Sequence, residues 1–181
     1  NTPPNISFYE NNLFKSGISG IDTSSFYLEI DQSKLYFISA IGVIGKSISF
    51  DGQSTILFEK IPSNLVNLIG TKNFISNHES SVKDFIIKND NIYVSFTREL
   101  TDNCWNTSLA VGKLKNDFIK FKILFSPDTC IDEENEDMEF NMTQSGGKIT
   151  SYDDNNIFLS VGDYRLRHLS QDIASPFGKI L

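Results

Sequence analysis

The residues best placed to do chemistry lie in the last forty or so positions. Asn141-Met-Thr-Gln-Ser-Gly-Gly-Lys-Ile149 sets hydroxyl and amide side chains ahead of a glycine pair. After a polar turn, Ile157-Phe-Leu-Ser-Val-Gly-Asp-Tyr-Arg165 carries a short apolar run into Gly162-Asp163. The charged residues that follow, Asp163 and Arg165, are either elements of an active face or a salt bridge connecting neighbouring units. His168 closes Arg165-Leu-Arg-His168 and reads first as a solvated loop histidine, as does His78 in Asn77-His-Glu-Ser80. Gly146-Gly147 could suggest a phosphate cradle, but no helix pattern follows it, which argues against a nucleotide loop.

Elsewhere the candidates are weaker. The run Asp132-Glu-Glu-Asn-Glu-Asp137 is acidic enough to attract a cation, yet it lacks the tight glycine turn of a calcium loop and reads as a solvated loop. Trp105 could stack on a sugar ring or pack over a neighbouring disulfide. Cys104 and Cys130, 26 positions apart, each sit among turn residues. Two loop cysteines in an acidic, Asn-rich chain suggest a disulfide and an oxidising compartment. No paired Cys or His accompanies them, which argues against zinc. Asn-x-Ser/Thr triplets at Asn5, Asn106 and Asn141 arise readily by chance in such a chain.

These residues need a scaffold, and composition bounds it. The chain has 181 residues, 39% of them hydrophobic and 15 of them Phe, which is enough for one domain with a core. A formal net charge of -7 repels phosphate backbones and disfavours both nucleic acid and anionic lipid as partners. The longest apolar runs, such as Ile41-Gly-Val-Ile-Gly45, are far short of a membrane span. Gly178-Lys-Ile-Leu181 reads as part of a strand, so the sequence reads as a piece of a longer chain.

Short alternating runs separated by Asn, Asp, Gly and Ser recur throughout, which is the pattern of strands and turns. Strands are expected at Lys34 to Ala40, Ser47 to Phe50, Thr55 to Lys60, Val82 to Lys88 and Asn91 to Thr97. Further strands are expected at Ser108 to Lys113, Phe118 to Phe125, Lys148 to Tyr152 and Ile157 to Val161. Asp51-Gly52, Asn89-Asp90-Asn91 and Asp153-Asp154-Asn155-Asn156 read as hairpin turns. Similar phrases begin near Leu35, Asn91 and Asn156, at steps of 56 and 65 residues. A four-stranded sheet with one long loop fits that period, and repeats of this size indicate a β-propeller. The expectation is an all-β propeller fragment of about three blades, roughly 1–75, 76–140 and an incomplete 141–181. A β-sandwich is the rival. Catalytic or binding residues would then lie in the loops joining the strands.

The ordered set Thr143-Gln-Ser-Gly-Gly147, Gly162-Asp163, Gln171-Asp172 and Gly178-Lys-Ile-Leu181 resembles the glucose/sorbosone dehydrogenase family, the soluble quinoprotein sugar dehydrogenases. The resemblance spans about forty residues and implies a six-bladed propeller. It implies pyrroloquinoline quinone (PQQ) assisted by calcium, with cofactor and calcium ligands beyond Leu181, and oxidation of a sugar hydroxyl. The protein would supply orientation and a general base, the cofactor the redox chemistry.

Carried over position by position, the resemblance is incomplete. The family's base, a His directly before the Gln, is Thr143 here, and threonine cannot serve as a base near neutral pH. The family's sugar-contacting Asp is Met142. Gln144 is retained. Asp163 matches the family's Gly-Asp turn and could accept hydrogen bonds from substrate hydroxyls or cap its own loop. Arg165 could contact the cofactor's carboxylates. His168 is the nearest substitute base in the sequence. Three readings follow: a periplasmic or secreted PQQ-dependent oxidoreductase acting on a small sugar or alcohol; a propeller of the same family that has lost catalysis and serves as a binding module; or an unrelated β repeat. Oligomeric state is not readable from the sequence.

Overall fold

The computed structural model describes residues 26–32, 34–49, 57–70, 81–115, 117–135 and 139–181. Three antiparallel sheets account for nearly all of its regular structure. The first is β1 (Phe26–Asp31), β2 (Lys34–Ser39), β3 (Ile44–Ser49) and β4 (Leu57–Ile61), each strand paired with the next. The second is β5 (Val82–Lys88), β6 (Asn91–Thr101), β7 (Cys104–Lys113) and β8 (Phe121–Phe125), with the two-residue β9 (Ile131–Asp132) added to the end of β7. The third is β10 (Gly146–Ser151), β11 (Ile157–Val161) and β12 (Lys179–Ile180). Two five-residue helices, α1 (Leu65–Ile69) and α2 (Arg167–Gln171), lie in connections.

Each sheet is a meander in sequence order, and the first strands adjoin: β5 packs against both β1 and β10. This is the arrangement of consecutive propeller blades, not of a two-sheet sandwich. The middle blade is covered on both faces, and its sequence shows why. On β6, Ile92, Val94 and Phe96 are fully buried on one side, while Ser95 and Thr97 are equally buried on the other. The second side faces β10, where small hydroxyl side chains satisfy a close-approaching backbone: the Ser95 hydroxyl donates to the carbonyl of Gly147. Gly147, at φ 103°, could carry no side chain, because a Cβ would lie 2.3 Å from Cβ of Lys83.

The turns follow local chemistry. Asn89 and Asp90 adopt φ 51° and 57°, the paired left-handed conformation of a tight hairpin, and Lys88 pairs with Asn91 across it. At the turn after β10, the Asp153 carboxylate accepts the backbone N–H of Asn155 and Asn156, both at 2.8 Å, and the Asn156 side-chain amide. Those bonds, the Asn156 side chain first, hold the exposed Asp153 carboxyl below its ordinary range.

Strand placement follows the sequence expectation closely at Val82–Lys88 and Ile157–Val161. The long hairpin is longer than expected: β6 runs on to Thr101 and β7 starts at Cys104, turning on Asn103 at φ 58°. The strand expected from Phe118 begins at Phe121, because Ile119 instead forms a bridge to Ser63 beside α1. The expected Asp51-Gly52 turn and His78 lie outside the described residues.

Candidate functional site

The connection before β10 and the connection after β11 meet at one end of the third blade. Residues Met142–Gln144 form a single 3-10 turn, opened by Asn141, whose Oδ1 accepts the Thr143 backbone N–H at 2.9 Å. Three backbone bonds then tie this turn to the Gly162–Tyr164 loop. Asn141 donates to the Tyr164 carbonyl at 2.9 Å, Tyr164 to the Gln144 carbonyl at 3.3 Å, and Gly162 to the Ser145 carbonyl at 2.8 Å. The approach demands glycine: a Cβ on Gly162 would fall 1.8 Å from the Gln144 carbonyl oxygen. The two motifs picked out in the sequence are thus parts of one backbone unit.

Tyr164 is its anchor. The residue is fully buried, with its ring stacked on Phe140 at 5.7 Å and edge-on to Phe177 at 6.1 Å. Its hydroxyl lies 2.9 Å from Oγ1 of Thr107, which donates to the Ser145 carbonyl at 2.6 Å. Burial pushes the phenol well above its ordinary range. Tyr164 and Arg165 both adopt left-handed backbone, φ 55° and 78°, a conformation costly for large side chains.

Each expected site residue can now be placed. Thr143 is exposed and its hydroxyl donates to Oδ1 of Asn141 at 2.5 Å. Gln144 is exposed beside it. Asp163 is half-buried, and both its oxygens serve its own loop: Oδ1 accepts the Arg165 backbone N–H at 3.0 Å and Oδ2 the Ser170 hydroxyl at 2.7 Å. Of the two uses open to Asp163, the structure shows the capping one. No salt bridge joins Asp163 to Arg165 among the described residues. Arg165 projects instead into a cleft of about 270 Å³ lined by Glu139, Arg165, Arg167 and His168. Lys179 completes the scaffold beneath α2, its ammonium donating to the carbonyls of Leu169, Ser170 and Phe177 at 2.9–3.1 Å.

Glu139 had no motif to mark it, and Tyr164 and Arg167, though inside the runs 157–165 and 165–168, carried no expected role; the backbone crossing brings Glu139 to the others. Lys83 was also missed. It sits at the register shift between Val82 and Asp84 on β5, where a bulge redirects a side chain, and burial lowers its ammonium to about 8. The adjacent Asp84 is engaged elsewhere: it pairs with Lys148 at 2.9 Å and accepts the Ile149 backbone N–H at 2.9 Å.

Other candidates resolve into structure. Cys104 and Cys130 form a disulfide with a Cα–Cα distance of 5.3 Å. Trp105 is buried where β7 pairs with β9, so it offers no face to a sugar. The Asn106 amide is buried and donates to the Pro127 carbonyl at 3.0 Å, which leaves it inaccessible as a glycan acceptor. Among the described residues no group of three or more His, Cys, Asp or Glu converges on a metal position. No described helix is long and apolar enough to cross a membrane.

Comparisons with known proteins agree with this architecture. The solved structure of a glucose dehydrogenase superposes with a TM-score of 0.59 at 13% identity, covering 86% of this chain and 46% of its own. A second, titled as a crystal structure of glucose dehydrogenase, gives 0.61 at 14% identity, covering 90% and 44%. The soluble aldose sugar dehydrogenase from Escherichia coli, in its apo form, gives 0.56 at 14% identity, covering 86% and 42%. At such identities the likeness shows the fold, and the chain spans less than half the length of each of these structures. No curated protein matches the sequence. Residues 79–181, more than half of the chain, match the family described as Glucose / Sorbosone dehydrogenase. The middle and last blades, with the loop end built on Tyr164, therefore make this chain a member of the glucose/sorbosone dehydrogenase family.

Proposed function

We propose that the protein is a quinoprotein oxidoreductase that takes a sugar or related alcohol hydroxyl to the carbonyl level, with PQQ and calcium. The observation that carries this reading is the union of the Asn141–Ser145 turn with the Gly162–Arg165 loop at the loop end of the last blade, in a chain of this family. When bound, PQQ supplies the hydride acceptor.

The chain's own contribution is positioning. Asp163 and Lys179 fix the loop, Gln144 offers an exposed amide to substrate hydroxyls, and the guanidinium of Arg165 meets acidic groups. The donor set suits an anionic ligand. It lacks the proton acceptor expected at position 143, where the Thr143 hydroxyl serves Asn141, and loss of a general base removes about 10²- to 10⁴-fold of rate. The disulfide supports a periplasmic or secreted location.

Thr143 also favours a second reading, a family propeller that binds its sugar without oxidising it. Titration of PQQ with calcium, followed by quinone absorbance, separates the two. Saturable, calcium-dependent binding is expected for the oxidoreductase. No binding at tens of micromolar PQQ leaves the binding module.

A further inference from the structure

The cleft at the loop end has a charge arrangement of which the oxidoreductase reading uses only Arg165. Glu139, Arg165, Arg167 and His168 line it and all four are exposed. Salt bridges among the described residues join Lys46 to Glu59 and Lys148 to Asp84; neither guanidinium of the cleft pairs with Glu139. Among the described residues, two arginines without an ion pair and one carboxylate thus line a small space. In a chain of net charge -7 these three side chains carry one more positive than negative charge.

The backbone holds the arrangement at a cost. Arg165 occupies a left-handed conformation at φ 78° immediately after Tyr164 at φ 55°, fixed by the buried Tyr164 ring and by the Asp163 carboxylate on the Arg165 N–H. Strained backbone of this kind persists where surrounding packing over-determines it, and it clusters at binding sites. Here it aims one guanidinium into the cleft, while the first residue of α2 supplies the second.

Ligand chemistry follows from the lining. Guanidinium groups recognise carboxylate or phosphate through paired N–H donors. Glu139, in the same cleft, disfavours a compact dianion such as phosphate and accepts hydrogen bonds from hydroxyl groups. A cleft of about 270 Å³ lies at the small end of ligand sites and suits a single small molecule. We infer that Glu139, Arg165 and Arg167 form a subsite for a hydroxylated monocarboxylate, a sugar acid, whose carboxylate lies on the arginines and whose hydroxyls meet Glu139. The inference deepens the sugar-oxidising reading by giving the substrate class, and it rests on that reading only for the step that follows binding.

The test is calorimetric titration of the protein without PQQ, using glucuronate, gluconate, glucose, acetate and inorganic phosphate. The two sugar acids should bind at least about tenfold more tightly than glucose or acetate, the range of one exposed charge-assisted contact. Arg165→Gln and Arg167→Gln should each weaken glucuronate by about tenfold, and Glu139→Gln should weaken glucuronate while strengthening phosphate. Unfolding curves of these surface variants should overlay wild type. Equal binding of glucose and glucuronate, indifference to the arginine substitutions, or phosphate as the tightest ligand would each overturn the assignment. Failure of PQQ to bind at all would sink the oxidoreductase reading and leave this result standing.

Discussion

Two turns in this chain share one unusual backbone geometry and differ in almost everything else. Asn89-Asp90 and Tyr164-Arg165 are both consecutive pairs in left-handed conformation, at φ 51° and 57° and at φ 55° and 78°. Asn and Asp tolerate that region because a short polar side chain bonds its own backbone. The first pair is exposed and simply closes a hairpin. Tyr and Arg gain nothing locally from the same angles. The second pair persists because Tyr164 is sealed in the core against Phe140 and Phe177, and because Asp163 caps the loop. One turn is set by local sequence, the other is imposed by tertiary packing, and the imposed one carries the candidate site.

The comparison breaks most sharply at Tyr164. Tyr164→Ala should destabilise by about 3–5 kcal/mol, because it removes a buried ring and the lock on the loop together. Denaturant unfolding should show the midpoint falling. A loss below about 1 kcal/mol would mean the loop does not depend on its anchor.

A smaller effect lies under the site, at Lys83. Burial holds its folded-state value near 8, below the ordinary 10.5. The cost of a buried ammonium is full below pH 8, fades between pH 8 and 10.5, and is absent above that window. Wild-type stability should therefore rise with pH across it. Lys83→Met should gain on the order of 1–3 kcal/mol at pH 7 and nothing at pH 10.5 or above, as read by unfolding at the two pH values. An equal gain at both would show that the lysine is not charged and buried as described.

The mildest test compares the turns directly. Arg165→Gly relieves strain of about 1–2 kcal/mol and costs about 0.5–1 in backbone entropy, so a net gain of at most about 1.5 kcal/mol is expected. Asn89→Gly should change stability by less than about 0.5 kcal/mol. Equal responses at the two positions would erase the distinction drawn between them.

Sequence pattern carried the architecture well where strands alternate normally. Val82–Lys88 and Ile157–Val161 stood out because polar residues bound them on both sides in the sequence. Phe26–Asp31 was passed over for a physical reason: Leu28 and Ile30 point to solvent, 61% and 66% exposed, while Glu29 is partly buried, the reverse of the usual pattern. At the site, order and spacing brought out Thr143, Gln144, Asp163 and Arg165. Whether Asp163 faces a ligand or its own loop was open in the sequence, because either use needs the same residue. Glu139 was invisible, since only the crossing of two distant backbone segments brings it to the cleft of Arg165 and Arg167.

The most direct test of the account is a dye-linked assay of aldose and sugar-acid oxidation by the protein supplied with PQQ and calcium, with Thr143→His beside wild type. The account predicts substrate-dependent dye reduction that requires PQQ, slow in wild type and about 10²- to 10⁴-fold faster once a base stands at position 143. PQQ-independent reduction, or none in either protein despite bound cofactor, would contradict it.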